Sequence, residues 1–271
     1  MKVREEVKEV QEVYEVEEKN TGVAAFFDLD GTLVSLPSLE MRFLSLLRYR
    51  RFVGIRNYFA WITEAARLLP RGINQILHAD KMYLRGISVD ETNSLRVPSF
   101  FPKAMERVVW HAERGHLLVI VSGTLEPLAQ RAARAMEAEL ALRGLKSAIR
   151  VCATRLEAKN GTWTGRIVGE AMFGEAKARA IQRMEDLDLS RCFTYGDSVK
   201  DKWMLEIVGK PAAVNPSNDL ARIARRNEWT ILRWGAEKTF THRAQSTQRS
   251  QRKNESDKAL QAVRAKAGFR A

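Results

Sequence analysis

The sequence of 271 residues has little cysteine and no long apolar run. Its two cysteines, Cys152 and Cys192, exclude a disulfide-stabilised scaffold and a cysteine-rich zinc module. No uncharged apolar stretch approaches the ~18 residues that a membrane-spanning helix needs. The first residues are acidic and no apolar segment follows them, so a secretory signal is not expected. These absences predict a cytoplasmic protein.

The net charge of +12 is distributed unevenly. Residues 1–20 hold four basic and seven acidic side chains, whereas residues 236–271 hold nine basic and three acidic ones. We interpret the basic tail as a disordered extension, because it is rich in polar residues and nearly lacks aromatic side chains that could stack on bases. A nucleic-acid partner is therefore not expected. The positive charge of the intervening residues favours an anionic substrate.

Short apolar runs alternate with amphipathic segments along most of the chain. The runs at 23–27 and 117–121 are typical of buried parallel strands. Alternating strands and helices predict an α/β fold, a doubly wound (Rossmann-like) parallel sheet covered on both faces. Between about 38 and 85 the pattern is helical, which predicts a helical insertion after the first strand. A hairpin is expected at Asn160-Gly161.

Acidic and hydroxyl residues follow several of the predicted strands. Ligands in such folds bind at the carboxyl ends of the strands, so we expect these side chains to converge: Asp28, Asp30, Ser122, Thr124 and Asp197. The pair of carboxylates directly after the first strand is the most informative feature. A turn would explain one aspartate and Gly31 but not both aspartates. One carboxylate can attack an electrophile while its neighbour acts as acid and base.

Four motifs, in this order along the chain, resemble those of the haloacid dehalogenase superfamily of phosphotransferases. They are DLDGTLV at 28–34, VIVSGT at 119–124, GEAK at 174–177 and YGDSVKD at 195–201. The resemblance covers roughly residues 21–235 and is closest to the phosphoserine-phosphatase-like branch, subclass IB. It implies an α/β core with a small helical C1-type cap inserted after the first strand.

The resemblance also implies catalytic and phosphate-binding roles. Asp28 would be the nucleophile that forms an aspartyl-phosphate, and Asp30 would protonate the leaving oxygen and then activate water. Ser122, with the backbone amide of Gly123, would bind the phosphoryl oxygens. Lys177 would pair with both Asp28 and the phosphate.

The same resemblance implies a magnesium site. Mg²⁺ would be held by the Asp28 carboxylate, the Asp30 backbone carbonyl and Asp197, and Asp201 would orient this shell or bind through water. A divalent cation and a lysine would offset the repulsion between a phosphoryl group and an anionic nucleophile. Thr32 is expected to support the loop through its hydroxyl, with a phosphate contact as the alternative.

The domain boundaries follow from these observations. We expect a charged leader at 1–20, an α/β core at 21–35 and 98–235, a helical cap at 36–97 and the basic tail at 236–271. Gly31–Ser35 and Val97–Pro102 are the expected hinges of the cap.

Arginines and large apolar residues are interleaved in the predicted cap, among them Phe43, Leu47, Phe59 and Ile62 and the arginines Arg42, Arg48, Arg50, Arg51, Arg56 and Arg67. We favour the interpretation that the aromatic stripe packs the core of the cap and the arginines form a solvated face. The alternative is that they bind a phospholipid-like substrate or a membrane surface. His78, His111 and His116 lack the spacing of metal ligands and receive no role.

These features predict a magnesium-dependent phosphatase that hydrolyses a small phosphomonoester. Phosphoserine is not the expected substrate, because Pro37 stands nine residues after Asp28, where phosphoserine phosphatases place a glutamate, and Lys200 replaces their asparagine. The alternatives are a phosphotransferase or mutase on the same fold, and a non-catalytic protein that binds membrane or nucleic acid.

Overall fold

A parallel sheet with one antiparallel edge strand forms the centre of the computed structural model, which describes residues 22–68 and 80–234. Its spatial order is β4-β3-β2-β1-β5-β6-β7, and only the β3–β4 pair is antiparallel. The strands are β1 (Ala24–Phe27), β2 (Leu117–Leu125), β3 (Ile149–Lys159), β4 (Thr162–Val168), β5 (Phe193–Gly196), β6 (Lys210–Val214) and β7 (Thr230–Leu232). The predicted doubly wound α/β fold is confirmed.

Strand β1 lies in the middle of the sheet because its residues are apolar on both faces. Ala24–Phe27 are all buried, and the strand pairs in parallel with β2 on one side and β5 on the other. The hairpin between β3 and β4 turns at Asn160 and Gly161, which both have positive φ angles (51° and 73°). A type I′ turn requires this conformation, so the predicted Asn-Gly turn is confirmed.

Helices connect the parallel strands and cover the sheet. In the described residues they are α1 (Leu39–Tyr49), α2 (Ile55–Leu68), α3 (Pro102–Ala112), α4 (Glu126–Ala141), α5 (Glu175–Gln182), α6 (Lys202–Glu206) and α7 (Asn218–Arg226). None of these helices is long and apolar enough to cross a membrane.

The segment after Asp197 begins with a 3-10 turn at Val199–Asp201, and only then does α6 start. The side chains of Ser198 and Asp201 bond to each other's backbone amides in a capping box. This box keeps Asp201 in the turn, where its carboxylate faces inward, and delays the start of the α-helix.

The insertion between β1 and β2 contains α1, α2 and two 3-10 turns at Met82–Leu84 and Val89–Ser94. Its two ends are joined, because Val34 and Phe100 form an isolated antiparallel bridge and the Phe101 amide donates to the Leu33 carbonyl at 2.9 Å. The proposed hinge segments therefore lie side by side.

The favoured interpretation of the aromatic stripe in the insertion is wrong for α2. Phe43 and Leu47 of α1 are buried as expected, whereas Phe59 and Ile62 of α2 are exposed. The reason is that α2 turns a partly polar face inward, with Asn57 bonded to backbone carbonyl groups. The structure does not describe the predicted leader and tail, the side chain of Arg67, or His78.

Candidate active site

The ends of three neighbouring strands bring the predicted acidic and hydroxyl residues together. Asp28 follows β1, Ser122 lies in β2 and Asp197 follows β5. Because β1 lies between β2 and β5, its carboxyl end is flanked by both other residues. The Asp28 amide donates to the Tyr195 carbonyl at 2.9 Å, so the ladder between β1 and β5 continues up to the site.

Lys177 connects two of the predicted carboxylates. It lies in the first turn of α5 and is buried, and its Nζ lies 2.5 Å from Asp28 Oδ1 and 2.6 Å from Asp201 Oδ1. Burial lowers the pKa of the ammonium group, but the Asp201 and Asp28 carboxylates raise it more, so the net pKa is above its ordinary value. Lys177 is therefore a permanently charged bridge in the site.

Asp201 is held by donors on both of its oxygens. Oδ2 accepts hydrogen bonds from the amides of Asp197 and Ser198 and from the Ser198 hydroxyl, at 2.9–3.2 Å, while Oδ1 faces Lys177. The Cα of Gly196 passes so close to Asp201 that an added Cβ would lie 2.5 Å from the Asp201 Cβ. Asp201 is thus suited to hold Lys177 and the Asp197 loop in place.

Asp28, Asp197 and Asp201 form a cluster of carboxylates whose nearest oxygens lie within 4.8 Å of one another. Burial, followed by the neighbouring Asp201 charge, raises the pKa of Asp197 to about 7. Burial also raises the pKa of Asp28, and the nearby Lys177 opposes this effect. Three carboxylates with a single lysine leave an excess of negative charge, and an all-oxygen donor set is the kind that Mg²⁺ prefers. The residues fit a divalent cation.

Gly31 lets the loop after β1 approach this cluster. It has a φ of +94°, and an added Cβ would lie 2.3 Å from Asp197 Oδ2. Any side chain here would displace the Asp197 carboxylate, which explains why glycine follows the second aspartate.

Asp30 is not part of this carboxylate cluster. Its Oδ1 accepts a hydrogen bond from the Leu39 amide at 2.8 Å, at the start of α1. Burial raises its pKa to about 6, although the Leu39 hydrogen bond opposes this. A carboxyl group near this pKa exchanges its proton readily around neutral pH, as a general acid and base must.

Besides Lys177, the predicted phosphate-binding residues lie on β2 and in the loop after β1. Ser122 is buried, and its Oγ accepts a hydrogen bond from the Thr124 amide at 3.2 Å, which leaves its own proton to donate. The Gly123 carbonyl accepts from the Thr154 hydroxyl at 2.9 Å. Thr32 is fully buried, and within the described part of the chain its hydroxyl has no hydrogen-bond partner. It does not support the loop by a hydrogen bond, contrary to the expectation from sequence.

Sequence reasoning missed a group of residues beside Gly123 and Asp30. The Phe173 ring packs on Gly123, and the Lys81 and Lys200 ammonium groups lie 5.8 and 5.4 Å from the centre of that ring. Glu40, next to Leu39, forms an ion pair with Lys81 at 2.8 Å and accepts a hydrogen bond from the Tyr83 hydroxyl. Only Lys200 carried a sequence signal, its place in the YGDSVKD motif, whereas the other contacts join distant segments.

Three further features lie away from this cluster. His111, a buried residue of α3, contacts His116 and the Tyr195 hydroxyl at 2.8 and 2.9 Å. Two surface grooves, of about 660 and 720 Å³, lie beside Arg107 and Leu232 and contain none of the predicted site residues. The linings of these grooves contain no cluster of carboxylates comparable to Asp28, Asp197 and Asp201.

Comparisons with known proteins place this site in a family. The relatives include a protein named phosphoserine phosphatase SerB1 of Mycobacterium tuberculosis, 29% identical over 232 residues, with 77% of this chain and 70% of the relative covered. A protein named probable phosphatase Rv3661 of the same organism is 30% identical over 224 residues, with 77% and 74% covered.

A solved structure supports the fold. The structure of a protein of unknown function from Bordetella pertussis Tohama I matches with a TM-score of 0.58 and 28% identity, covering 77% of this chain and 97% of that one. The sequence model of the haloacid dehalogenase-like hydrolases matches residues 25–206, a range that contains the whole carboxylate cluster. The chain is therefore an enzyme of the haloacid dehalogenase-like hydrolase family.

Proposed function

We propose that this enzyme hydrolyses a small phosphomonoester through an aspartyl-phosphate on Asp28, with Mg²⁺ as cofactor. The observation that carries the proposal is the buried Asp28–Lys177–Asp201 bridge at the carboxyl end of β1. When a lysine binds one oxygen of a carboxylate, the other oxygen remains free to attack phosphorus. Relatives named as phosphatases agree with this chemistry.

The first step forms the covalent intermediate. Asp28 Oδ2 attacks phosphorus, the bond between phosphorus and the ester oxygen breaks, and Asp30 gives its proton to the leaving alkoxide. Ser122 and the Gly123 amide would bind the phosphoryl oxygens, and Thr32 has a buried hydroxyl that could donate to them. Lys177 would offset the charge of the phosphoryl group.

The second step returns the free enzyme. Asp30, now ionised, takes a proton from water, the water oxygen attacks phosphorus, and the bond to Asp28 breaks. The products are inorganic phosphate and the alcohol, so atoms and charge balance. Because the pKa of Asp30 is about 6, it can serve in both protonation states.

The cofactor would be held by residues of the cluster already described. The Asp28 and Asp197 carboxylates and the Asp30 backbone carbonyl would bind Mg²⁺, with Asp201 orienting them. Bound Mg²⁺ supplies positive charge that stabilises the transferring phosphoryl group.

We also propose that the insertion at 36–97 acts as a cap over this site, with 21–35 and 98–235 as the core. Its ends meet at Val34 and Phe100, and its first helix touches Asp30 through Leu39. The Lys81–Glu40 pair and Phe173 would then contact the leaving group of the substrate. Closure of such a segment would exclude water during the first step.

The test is the hydrolysis of an aryl phosphate by the purified chain with Mg²⁺ and with EDTA. We expect turnover that requires Mg²⁺ and is abolished in Asp28→Asn, while the matched surface variant Asp219→Asn keeps it. Beryllium fluoride with Mg²⁺ should raise the melting temperature of the wild type but not of Asp28→Asn. No turnover and no stabilisation by beryllium fluoride in a folded protein would refute the proposal.

A further inference from the structure

The apolar stripe of α2 faces outward. Ile55, Phe59 and Ile62 are spaced at i, i+4 and i+7, and their exposed fractions are 73%, 62% and 54%. Phe52, just before the helix, is 46% exposed. A helix of a globular protein ordinarily turns such a stripe toward its core. Here the stripe is instead available for binding.

Directed contacts fix this orientation of α2. Asn57 Nδ2 donates to the carbonyl oxygens of Tyr83 and Arg85 at 3.3 and 2.8 Å. The Trp61 ring meets the Tyr83 ring edge-on, with 6.4 Å between their centroids. The outward direction of the stripe is thus a consequence of specific bonds on the opposite side of the helix.

Positive charge accompanies the stripe. Residues 41–63 contain five arginines and no acidic residue. Arg50 is paired with Glu91 at 3.3 Å, whereas Arg51 and Arg56 are exposed and form no ion pair with any side chain that the structure describes. We call Arg51, Phe52, Ile55, Arg56, Phe59 and Ile62 together the α2 face.

We propose that the α2 face binds the surface of a membrane that contains anionic lipids. Phe and Ile side chains would enter the boundary between headgroups and acyl chains, and the guanidinium groups would bind lipid phosphates. The combination favours a membrane over nucleic acid, because nucleic acid would bind the positive charge but has no apolar phase for the Ile55–Ile62 stripe. A bilayer provides both, and a flat surface needs no complementary groove.

The experiment is sedimentation of the full chain with vesicles of phosphatidylcholine alone or mixed with phosphatidylglycerol. We expect binding to the mixed vesicles and little to the neutral ones. Phe59→Ser/Ile62→Ser keeps the net charge and should lower the partition coefficient about tenfold or more. Arg51→Gln/Arg56→Gln keeps the apolar stripe and should lower it by a similar factor.

Matched controls separate this face from general surface effects. Leu142→Ser removes an apolar side chain elsewhere that is 87% exposed, more than Phe59 or Ile62. Arg226→Gln removes an exposed arginine of α7. Both variants should bind vesicles as the wild type does. All variants retain the basic tail, so its contribution is constant. Circular dichroism melts should show that each variant is folded, because the replaced side chains are exposed.

Three results would overturn the proposal. One is that the wild type does not bind phosphatidylglycerol vesicles. The second is that Phe59→Ser/Ile62→Ser binds them as tightly as the wild type, which would assign the binding to charge alone. The third is a wild-type dimer in light scattering that this double variant turns into a monomer, which would show that a second copy covers the face.

Discussion

The Asp30 carboxylate accepts a hydrogen bond from the backbone amide of Leu39, at 2.8 Å. Leu39 is the first residue of α1, so the start of the inserted helices is bonded to the proposed acid and base. Burial raises the pKa of Asp30 to about 6 and this bond opposes the rise. The position of the insertion and the protonation of Asp30 are therefore linked.

Asp30→Asn should separate the two steps of the reaction. An alkyl phosphate needs its leaving oxygen protonated, so we expect its hydrolysis to fall by about 10²–10⁴. An aryl phosphate has a good leaving group, so Asp28 should still become phosphorylated, and the intermediate should accumulate because no base activates water. Intact-mass spectrometry of the quenched enzyme measures this. Wild-type turnover of both esters would refute the role of Asp30, and Asp219→Asn is the control.

Mg²⁺ should stabilise the wild type through the carboxylate cluster. At a hundredfold excess over its Kd the cation would contribute about 2.7 kcal/mol to the free energy of unfolding. Asp197→Asn removes one proposed ligand and one repelling charge, so the metal-free variant should melt higher than the wild type and respond less to Mg²⁺. Thermal melts with Mg²⁺ and with EDTA test this. An equal Mg²⁺ response in both proteins would contradict the assignment.

Lys177→Met should destabilise the metal-free protein as well as abolish turnover. The variant leaves Asp28 and Asp201 buried without their counter-charge, which costs about 3–5 kcal/mol. Burial raises the pKa of Asp28, so the folded variant takes up protons before the unfolded chain does as pH falls. Its deficit in urea denaturation should therefore shrink at low pH and grow as pH rises. A pH-independent deficit would disprove this explanation.

Gly123→Ala should disturb the phosphate side of the site. An added Cβ would lie 1.9 Å from the Phe173 ring, which must move because the backbone of β2 is held in the sheet. We expect a cost of about 1–3 kcal/mol and at least a tenfold loss of kcat/KM. Gly54→Ala is the matched control, since its nearest neighbour would be 3.7 Å away. Adding Phe173→Ala should recover stability, and a failure to do so would exclude the clash as the cause.

His111 should make the protein sensitive to mild acid. Burial, and then the charges of His116 and Arg107, lower its pKa to about 2 from an ordinary 6.5. The unfolded chain therefore binds a proton that the folded protein does not, and stability falls as pH drops below 6.5 by up to about 1.4 kcal/mol per pH unit. His111→Phe fills the same aromatic cluster and should flatten this slope in urea titrations. An unchanged slope would assign the acid sensitivity to other groups.

The sequence alone was sufficient to predict a parallel α/β sheet and the acidic residues at the ends of its strands. Apolar runs such as Ala24–Phe27 can only be buried on both faces, which requires a central parallel strand. Asp28 and Asp197 follow such runs directly, so their meeting at one edge was predictable from topology. The motif resemblance added Lys177, whose place in the first turn of α5 gave no local signal. The functional roles of these residues stay predictions.

Only the tertiary structure decided the contacts between side chains from distant segments. Lys177 and Asp28 are 149 positions apart, and the pairing of Lys81 with Glu40 joins two parts of the insertion. Periodicity shows that α2 has an apolar stripe, but it does not determine whether that stripe faces the core or the solvent. The orientation of α2 is set by Asn57, whose hydrogen bonds to the carbonyl groups of Tyr83 and Arg85 hold the partly polar face inward. Local sequence determines which groups a segment presents, and packing against the rest of the chain determines what they meet.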